Sequence, residues 1–185
     1  MFEDLPPGPL LAIACDLRGA MNLLSEDRAE TERWARRALE LATELDLPDT
    51  VASAIGMLGA AQGLDGIPSG VEQLERSLAM AAQLPGAEDL VGRTHVLVAM
   101  AGSRGRSLDL MERSVEPGLA YCTERDLDVW NRILLATRSW VALERGDWDR
   151  AAETVELVLM EDCTLSCCQA RVVLGLLRGQ IRCRR

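Results

Sequence analysis

The stretch Leu143–Leu159, LERGDWDRAAETVELVL, combines the end of one helix, a tight turn and the start of a second helix at Trp148. Gly146 can take the backbone angles that end a helix, and the Asp147 carboxylate can accept hydrogen bonds from the free N–H groups of the next helix. Ala151 is small enough to let the two helices touch. The stretch therefore predicts a helical hairpin, and looser copies of it occur along the chain.

The copies follow a period of about 40 residues. Small residues of the first helices recur at this period, with a slightly shorter last step, at Gly19, Gly59, Ala99, Ser139 and Gly175. Apolar residues of the second helices recur at similar steps, at Leu39, Leu78, Leu119 and Val158. Stacked helical hairpins pack in this way, and the period is longer than that of a standard tetratricopeptide repeat. We predict an all-α fold, a right-handed α-α superhelix of about four and a half tetratricopeptide-like hairpins.

The predicted repeat domain spans 9–179, between a Pro-rich lead-in at 1–8 and a basic tail at 180–185. Ser69 and Glu72 have the spacing of a capping box and predict the start of a helix. Pro117 lies inside a predicted helix and is expected to kink it. A fifth first helix is predicted over 169–179. The alternative is an ordinary helical bundle, in which the ends meet in one core rather than each hairpin touching only its neighbours.

Composition excludes several classes of function. All 20 basic residues are arginine, so the chain has no Walker A lysine and no Schiff-base lysine. The net charge of −9 disfavours nucleic-acid binding by this chain alone. No apolar run reaches the roughly 18 residues that span a bilayer, and Met1–Pro9 lacks the basic start of a signal peptide. We expect a cytoplasmic protein with reduced thiols that does not contact the membrane.

Residue types suited to catalysis or metal binding are sparse. Cys163, Cys167 and Cys168 with Cys183 form the one candidate cluster, but a structural zinc site usually needs a second close pair or histidines. We therefore predict no metal and no other cofactor. His95 is the only histidine and lies among apolar residues, which indicates a packed, hydrogen-bonded side chain rather than a general base. We do not expect an enzyme.

The chain contains LPPGP at 5–9, WARRALELATELDLPDTVASAIGMLG at 34–59, GLAYCTERDLDVW at 118–130 and LERGDWDRAAE at 143–153. These stretches resemble the tetratricopeptide-like region of bacterial LuxR-type regulators with an AAA-type ATPase module, the MalT-like signal-transduction ATPases. In that family the helical repeat arm receives an inducer or a partner, between a nucleotide-binding module and a DNA-binding helix-turn-helix. This chain has no phosphate loop and no room for a helix-turn-helix after Gly175, so we expect a fragment that contains the arm alone.

Two functional interpretations follow, with an enzyme as a third that has little support. The resemblance implies a non-catalytic arm for protein–protein interaction or effector sensing, and the alternative is a free-standing tetratricopeptide-like adaptor. In both, the expected partner is a protein or peptide, or a small effector. Self-association through uncapped ends is also expected, because open-ended hairpins expose apolar stripes.

The first helices of stacked hairpins line a concave groove, and the small-residue column predicts which side chains point into it. We expect Trp140 with Met100 to form an apolar floor, and Arg93 with Arg104 to grip a carboxylate. The alternative is that Trp140 merely stacks between hairpins. The predicted groove residues are Ser53, Ala60, Arg93, Met100, Arg104, Ile133, Ala136, Trp140 and Glu144.

Overall fold

The computed structural model describes residues 6–160 and Gly179, and within 6–160 the protein forms eight α-helices and no strand. The helices are α1 Pro9–Leu24, α2 Arg28–Glu44, α3 Pro48–Gly63, α4 Pro68–Ala81, α5 Glu88–Arg104, α6 Leu108–Glu124, α7 Asp128–Glu144 and α8 Trp148–Met160. The all-α prediction is confirmed. The fifth first helix, apart from Gly179, and the four cysteines from Cys163 onward lie outside the described residues.

Each of the seven turns between these helices contains one residue in the left-handed backbone region, and these residues are evenly spaced along the chain. They are Glu26, Asp46, Gly66, Gly86, Arg106, Asp126 and Gly146. In six of the turns the residue after the left-handed one donates its backbone N–H to the carbonyl five residues before it, for example Asp147 to Ala142 at 2.9 Å. This is the hydrogen bond of a Schellman motif, which ends a helix sharply. A constant turn and a nearly constant helix length therefore fix the length of the repeating hairpin.

The small-residue column lies where the two helices of each hairpin cross. The nearest atoms to an added Cβ at Gly19 belong to Thr31 and Ala35 of α2, at 3.6 Å. At Gly59 an added Cβ would lie 2.8 Å from the Gly70 carbonyl oxygen of α4. In the fourth hairpin the Ser139 hydroxyl donates to the Ala151 carbonyl of α8 at 3.4 Å. Small side chains are thus required by close backbone approach, as the repeat predicted.

The hairpins form an open stack. The first helices α1, α3, α5 and α7 contact one another in succession, and every pair of contacting helices in the described part of the chain is at most two elements apart. The backbones of the second helices stay apart there, and side-chain ion pairs link them: Arg113 of α6 with Glu75 of α4, and Arg150 of α8 with Glu116 of α6. The buried apolar residues form separate clusters along the stack. These contacts are those of a helical repeat superhelix with the first helices as its inner layer, and they exclude a bundle with one core.

One local feature differs from the sequence prediction. Helix α4 begins at Pro68 with Ile67 as its N-cap and no side-chain cap, so the predicted capping box is wrong. Because the turn at Gly66 fixes the start of the helix, the Ser69 hydroxyl falls inside the first turn and donates to Gln62 Oε1 at 3.2 Å instead. Helix α6 continues through Pro117, which is exposed. Among the described helices, none has the length and apolar character needed to cross a bilayer.

Candidate binding site on the first-helix face

A cavity of about 240 Å³ opens on the layer of first helices. All four first helices contribute to its wall, and the turn after α1 and the start of α2 complete it. The lining residues are Ala20, Leu23, Leu24, Glu26, Arg28, Met57, Leu64, Arg93, Val96, Leu97, Met100, Arg104 and Trp130. We call it the first-helix cavity. Since its wall comes from four successive hairpins, the cavity exists only when the hairpins are stacked.

Three of the predicted groove residues, Arg93, Met100 and Arg104, line this cavity together. Arg104 is half-exposed at the rim, where its guanidinium donates to Glu26 Oε1 at 2.7 Å. A second rim arginine, Arg28, forms an ion pair with Asp65. The apolar wall thus carries a cationic edge whose charges are paired to surface carboxylates.

A buried polar chain joins three first helices beside the cavity. The Ser53 hydroxyl of α3 donates to Asp16 Oδ2 of α1 at 2.6 Å, and the Arg93 guanidinium of α5 donates to the same hydroxyl at 2.5 Å. Burial raises the pKa of Asp16, while the Ser53 hydrogen bond and the Arg93 charge act in the opposite direction. Asp16 Oδ1 and Arg93 Nε have no hydrogen-bond partner within the described part of the chain. One acceptor atom of Asp16 and one donor atom of Arg93 therefore remain without a hydrogen bond in this group of polar side chains.

Arg93 also lines a second hollow of about 240 Å³, which includes Asp16, Ser53, Ile13 and Asp89. One guanidinium consequently borders two neighbouring hollows on the first-helix face. Ser53 is nearly buried, with 5% of its surface exposed, and acts as the link between the two charged groups. Ser53 therefore lies on the first-helix face as predicted, but its hydroxyl links neighbouring hairpins.

The predicted residues of α7 lie elsewhere. Trp140 and Ala136 belong to the apolar cluster of the fourth hairpin, and the Trp140 indole donates to Glu144 Oε1 at 3.2 Å. Met100 packs in the preceding cluster, and Ile133 contacts both. The structure therefore separates the expected floor pair, Trp140 and Met100, into different clusters. Ala60, also expected in the groove, is buried among core residues.

The indole of the first-helix cavity is Trp130, whose Nε1 donates to Asp89 Oδ1 at 2.7 Å. The cavity uses the C-terminal half of α1, the length of α5 and the N-terminal end of α7, so it crosses the helices diagonally. Met100 lines this cavity, whereas Trp140, one repeat period later, does not. Other positions one period apart do share it, such as Leu24 with Leu64 and Met57 with Leu97, so sequence register alone does not decide which residues line the cavity.

His95 is buried where α5 meets α6, as the sequence predicted. Its Nδ1 lies 3.3 Å from the Ser114 hydroxyl, which itself donates to the His95 carbonyl at 2.8 Å. Burial lowers the pKa of His95, partly opposed by the hydrogen bond with Ser114. The histidine is not among the residues that line the first-helix cavity. It stabilises the crossing of two helices.

Within the described residues no group of histidine, cysteine and carboxylate side chains has the arrangement of a metal site. Cys15 and Cys122 are buried free thiols, and burial raises the pKa of both. A raised thiol pKa makes a cysteine less reactive. The candidate cluster of Cys163, Cys167, Cys168 and Cys183 lies outside the described part of the chain.

Comparisons with protein-family models, with curated proteins and with solved structures find no match for this chain. Its function is therefore inferred from the geometry of the first-helix cavity and the chemistry of the residues around it.

Proposed function

We propose that this helical repeat domain is a non-catalytic binding arm whose first-helix cavity receives an apolar group attached to a carboxylate. The ligand is a peptide segment or a small effector. The observation that carries the proposal is the cavity itself, which has about 240 Å³, an apolar wall from four successive first helices, and Arg93 and Arg104 beside it. Sites for drug-sized ligands are usually about 300–1,000 Å³, so a hollow of this size suits one or two side chains.

The arginines give the cavity its preference for an anion. Arg104 is paired with the exposed Glu26. Such a surface pair is worth at most about 1 kcal/mol, so a ligand carboxylate can replace Glu26 at little cost. Arg93 also lines the cavity, and a guanidinium can hold a carboxylate through two parallel hydrogen bonds.

The resemblance to the repeat arm of LuxR-type ATPase regulators supports the same role, because that arm receives an inducer or a partner. We therefore place the domain in the cytoplasm, as the sensing arm of such a regulator. The buried free thiols of Cys15 and Cys122 fit a reducing compartment. A free-standing adaptor would use the same face for a peptide, and the cavity chemistry is common to both interpretations.

The experiment is a two-dimensional ¹H–¹⁵N NMR titration with N-acetyl-leucyl-leucine, which carries apolar side chains and one carboxylate. We expect the signals of Met57, Met100 and the Trp130 indole to shift, with a Kd of roughly 0.1–1 mM for so small a ligand. The probe N-acetyl-leucyl-leucinamide lacks the charge and should bind more weakly.

The matched variants are Arg104→Met at the cavity rim and Arg113→Met on α6. Arg113 does not line the cavity, and its guanidinium lies 3.9 Å from a carboxylate oxygen of Glu75. Arg104→Met should weaken binding of the carboxylate probe and leave binding of the amide probe unchanged, whereas Arg113→Met should affect neither. Shifts that avoid the cavity residues, or equal affinity for both probes, would refute the proposal.

A further inference from the structure

Helix α1 carries a continuous apolar stripe that no described residue covers. Its members are between 44% and 82% exposed, and we call them the α1 stripe: Leu10, Ile13, Leu17, Met21 and Leu24. The other large apolar side chains that are exposed in the described part of the chain, Ile67 and Val129, lie singly. Isolated exposed apolar residues are ordinary, whereas a contiguous patch indicates an interaction surface.

The repeat shows what normally covers these positions. One and two repeat periods after Leu17 lie Met57 and Leu97, which are 1% and 7% exposed. The same steps lead from Met21 to Ala61 and Ala101, at 1% and 3% exposure. Two central positions that are exposed on α1, those of Leu17 and Met21, are therefore buried in the next two first helices.

Hydrogen bonds identify the helix that does the covering. Ser53, one repeat period after Ile13, contacts Asp16 of α1, and Arg93, a further period along the chain, contacts Ser53 of α3. In the second and third hairpins this column therefore packs on the preceding first helix, and on α1 no described residue covers the same column.

The spacing of the stripe identifies a helix that fits. The steps between its five residues are 3, 4, 4 and 3, which is symmetric about Leu17. Two antiparallel copies of α1 would place Leu10 against Leu24, Ile13 against Met21, and Leu17 against itself. A two-fold interface requires this reciprocity. We propose that a second copy of this chain covers the α1 stripe, with the two α1 helices antiparallel about a two-fold axis at Leu17.

Area and charge agree with a weak dimer. Five side chains exposed to this degree present roughly 500 Å² of apolar surface, within the range of about 300–600 Å² for the largest patches on monomers. Two copies bury about 1,000 Å², which is the lower limit of a specific interface.

The charged residues of α1 are the buried Asp16 and the exposed Arg18, and Asp49, Asp89 and Arg93 border Ile13 and Leu17, so the charges beside the stripe are of both signs.

The test is sedimentation equilibrium of the full chain from about 1 to about 200 µM, a range suited to an interface of this size. The wild-type protein should pass from monomer to dimer. Leu17→Glu and Leu17→Arg should each remain monomeric, and an equimolar mixture of the two should regain the dimer mass, because position 17 meets itself on the axis. Circular dichroism checks that both variants are as helical as the wild type.

Val129→Glu is the matched control, since Val129 is 43% exposed but lies on α7 away from the stripe, and it should dimerise like the wild type. Leu24 is not used because it also lines the first-helix cavity. A wild-type chain that stays monomeric at the highest concentration would overturn the proposal. So would a Leu17→Glu dimer, or a mixture of the two Leu17 variants that remains monomeric. The sedimentation experiment contains no probe and the titration does not report mass, so either proposal can fail alone.

Discussion

Replacing Gly59 by alanine tests the close crossing on which the hairpin stack depends. An added Cβ would lie 2.8 Å from both the Gly70 carbonyl oxygen and the Leu74 amide nitrogen, and 3.0 Å from Gln73 Cβ. Two of these three atoms belong to the backbone of α4, so α3 and α4 must move apart. Overpacking of this kind costs about 1–3 kcal/mol, while alanine in place of a helical glycine contributes about 1 kcal/mol. We expect Gly59→Ala to lower the free energy of unfolding by up to about 2 kcal/mol.

Gly19 provides a matched control at the same repeat position. Its nearest neighbours would be 3.6 Å from an added Cβ, which is ordinary van der Waals contact. Gly19→Ala should therefore raise the free energy of unfolding by about 0.5–1 kcal/mol through helix propensity alone. Urea unfolding followed by circular dichroism gives both values, with the m-value confirming that the same surface unfolds. Changes of the same sign, or a stabilising Gly59→Ala, would refute the crossing geometry.

Three further predictions follow from the turn, the fourth hairpin and the buried histidine. Gly146 has φ of +83° and no described atom within 4 Å of an added Cβ, so Gly146→Ala should cost about 1 kcal/mol of stability from backbone strain alone, measured by urea unfolding. Trp140 packs in the fourth hairpin, so Trp140→Ala should lower the free energy of unfolding by about 2 kcal/mol and leave binding of N-acetyl-leucyl-leucine unchanged in the NMR titration. Weaker binding with unchanged stability would instead place Trp140 in the binding site. The lowered pKa of His95 means that the folded state disfavours its protonated form, so stability is present above the unfolded pKa of about 6.5 and is lost as pH falls from there through the folded pKa. Unfolding free energies of the wild type and His95→Gln between pH 5 and pH 8 should differ in slope, and parallel curves would contradict this.

The fold was predictable because its period is carried by small residues where two helices cross and by glycine in a turn. Gly19 and Gly59 lie at helix crossings, and Gly146 lies in a turn with a positive φ. The regular spacing of the turns was not predictable, since Glu26 and Arg106 adopt the left-handed region without being glycine. Hydrogen bonds across each turn hold them there, rather than an intrinsic preference of the residue.

The candidate site was predictable only in part. Arg93, Met100 and Arg104 were found because they share one face of one helix, and helical spacing is visible in a sequence. Asp16 and Trp130 were not found, because their positions depend on how successive hairpins rotate against one another. The prediction of exposed apolar stripes at open ends did not specify which residues form them, and the structure locates one on α1.

The most direct test of the account places a carboxylate inside the first-helix cavity. Met100 lines the cavity, whereas Met80 is similarly half-buried but packs in the cluster beside α4 and α5, outside it. The measurement compares the Kd of N-acetyl-leucyl-leucine for Met100→Glu and Met80→Glu by NMR titration. If the cavity receives the apolar carboxylate, Met100→Glu binds at least about tenfold more weakly, equivalent to roughly 1.4 kcal/mol, and Met80→Glu binds like the wild type. Equal affinity of the two variants would contradict the account.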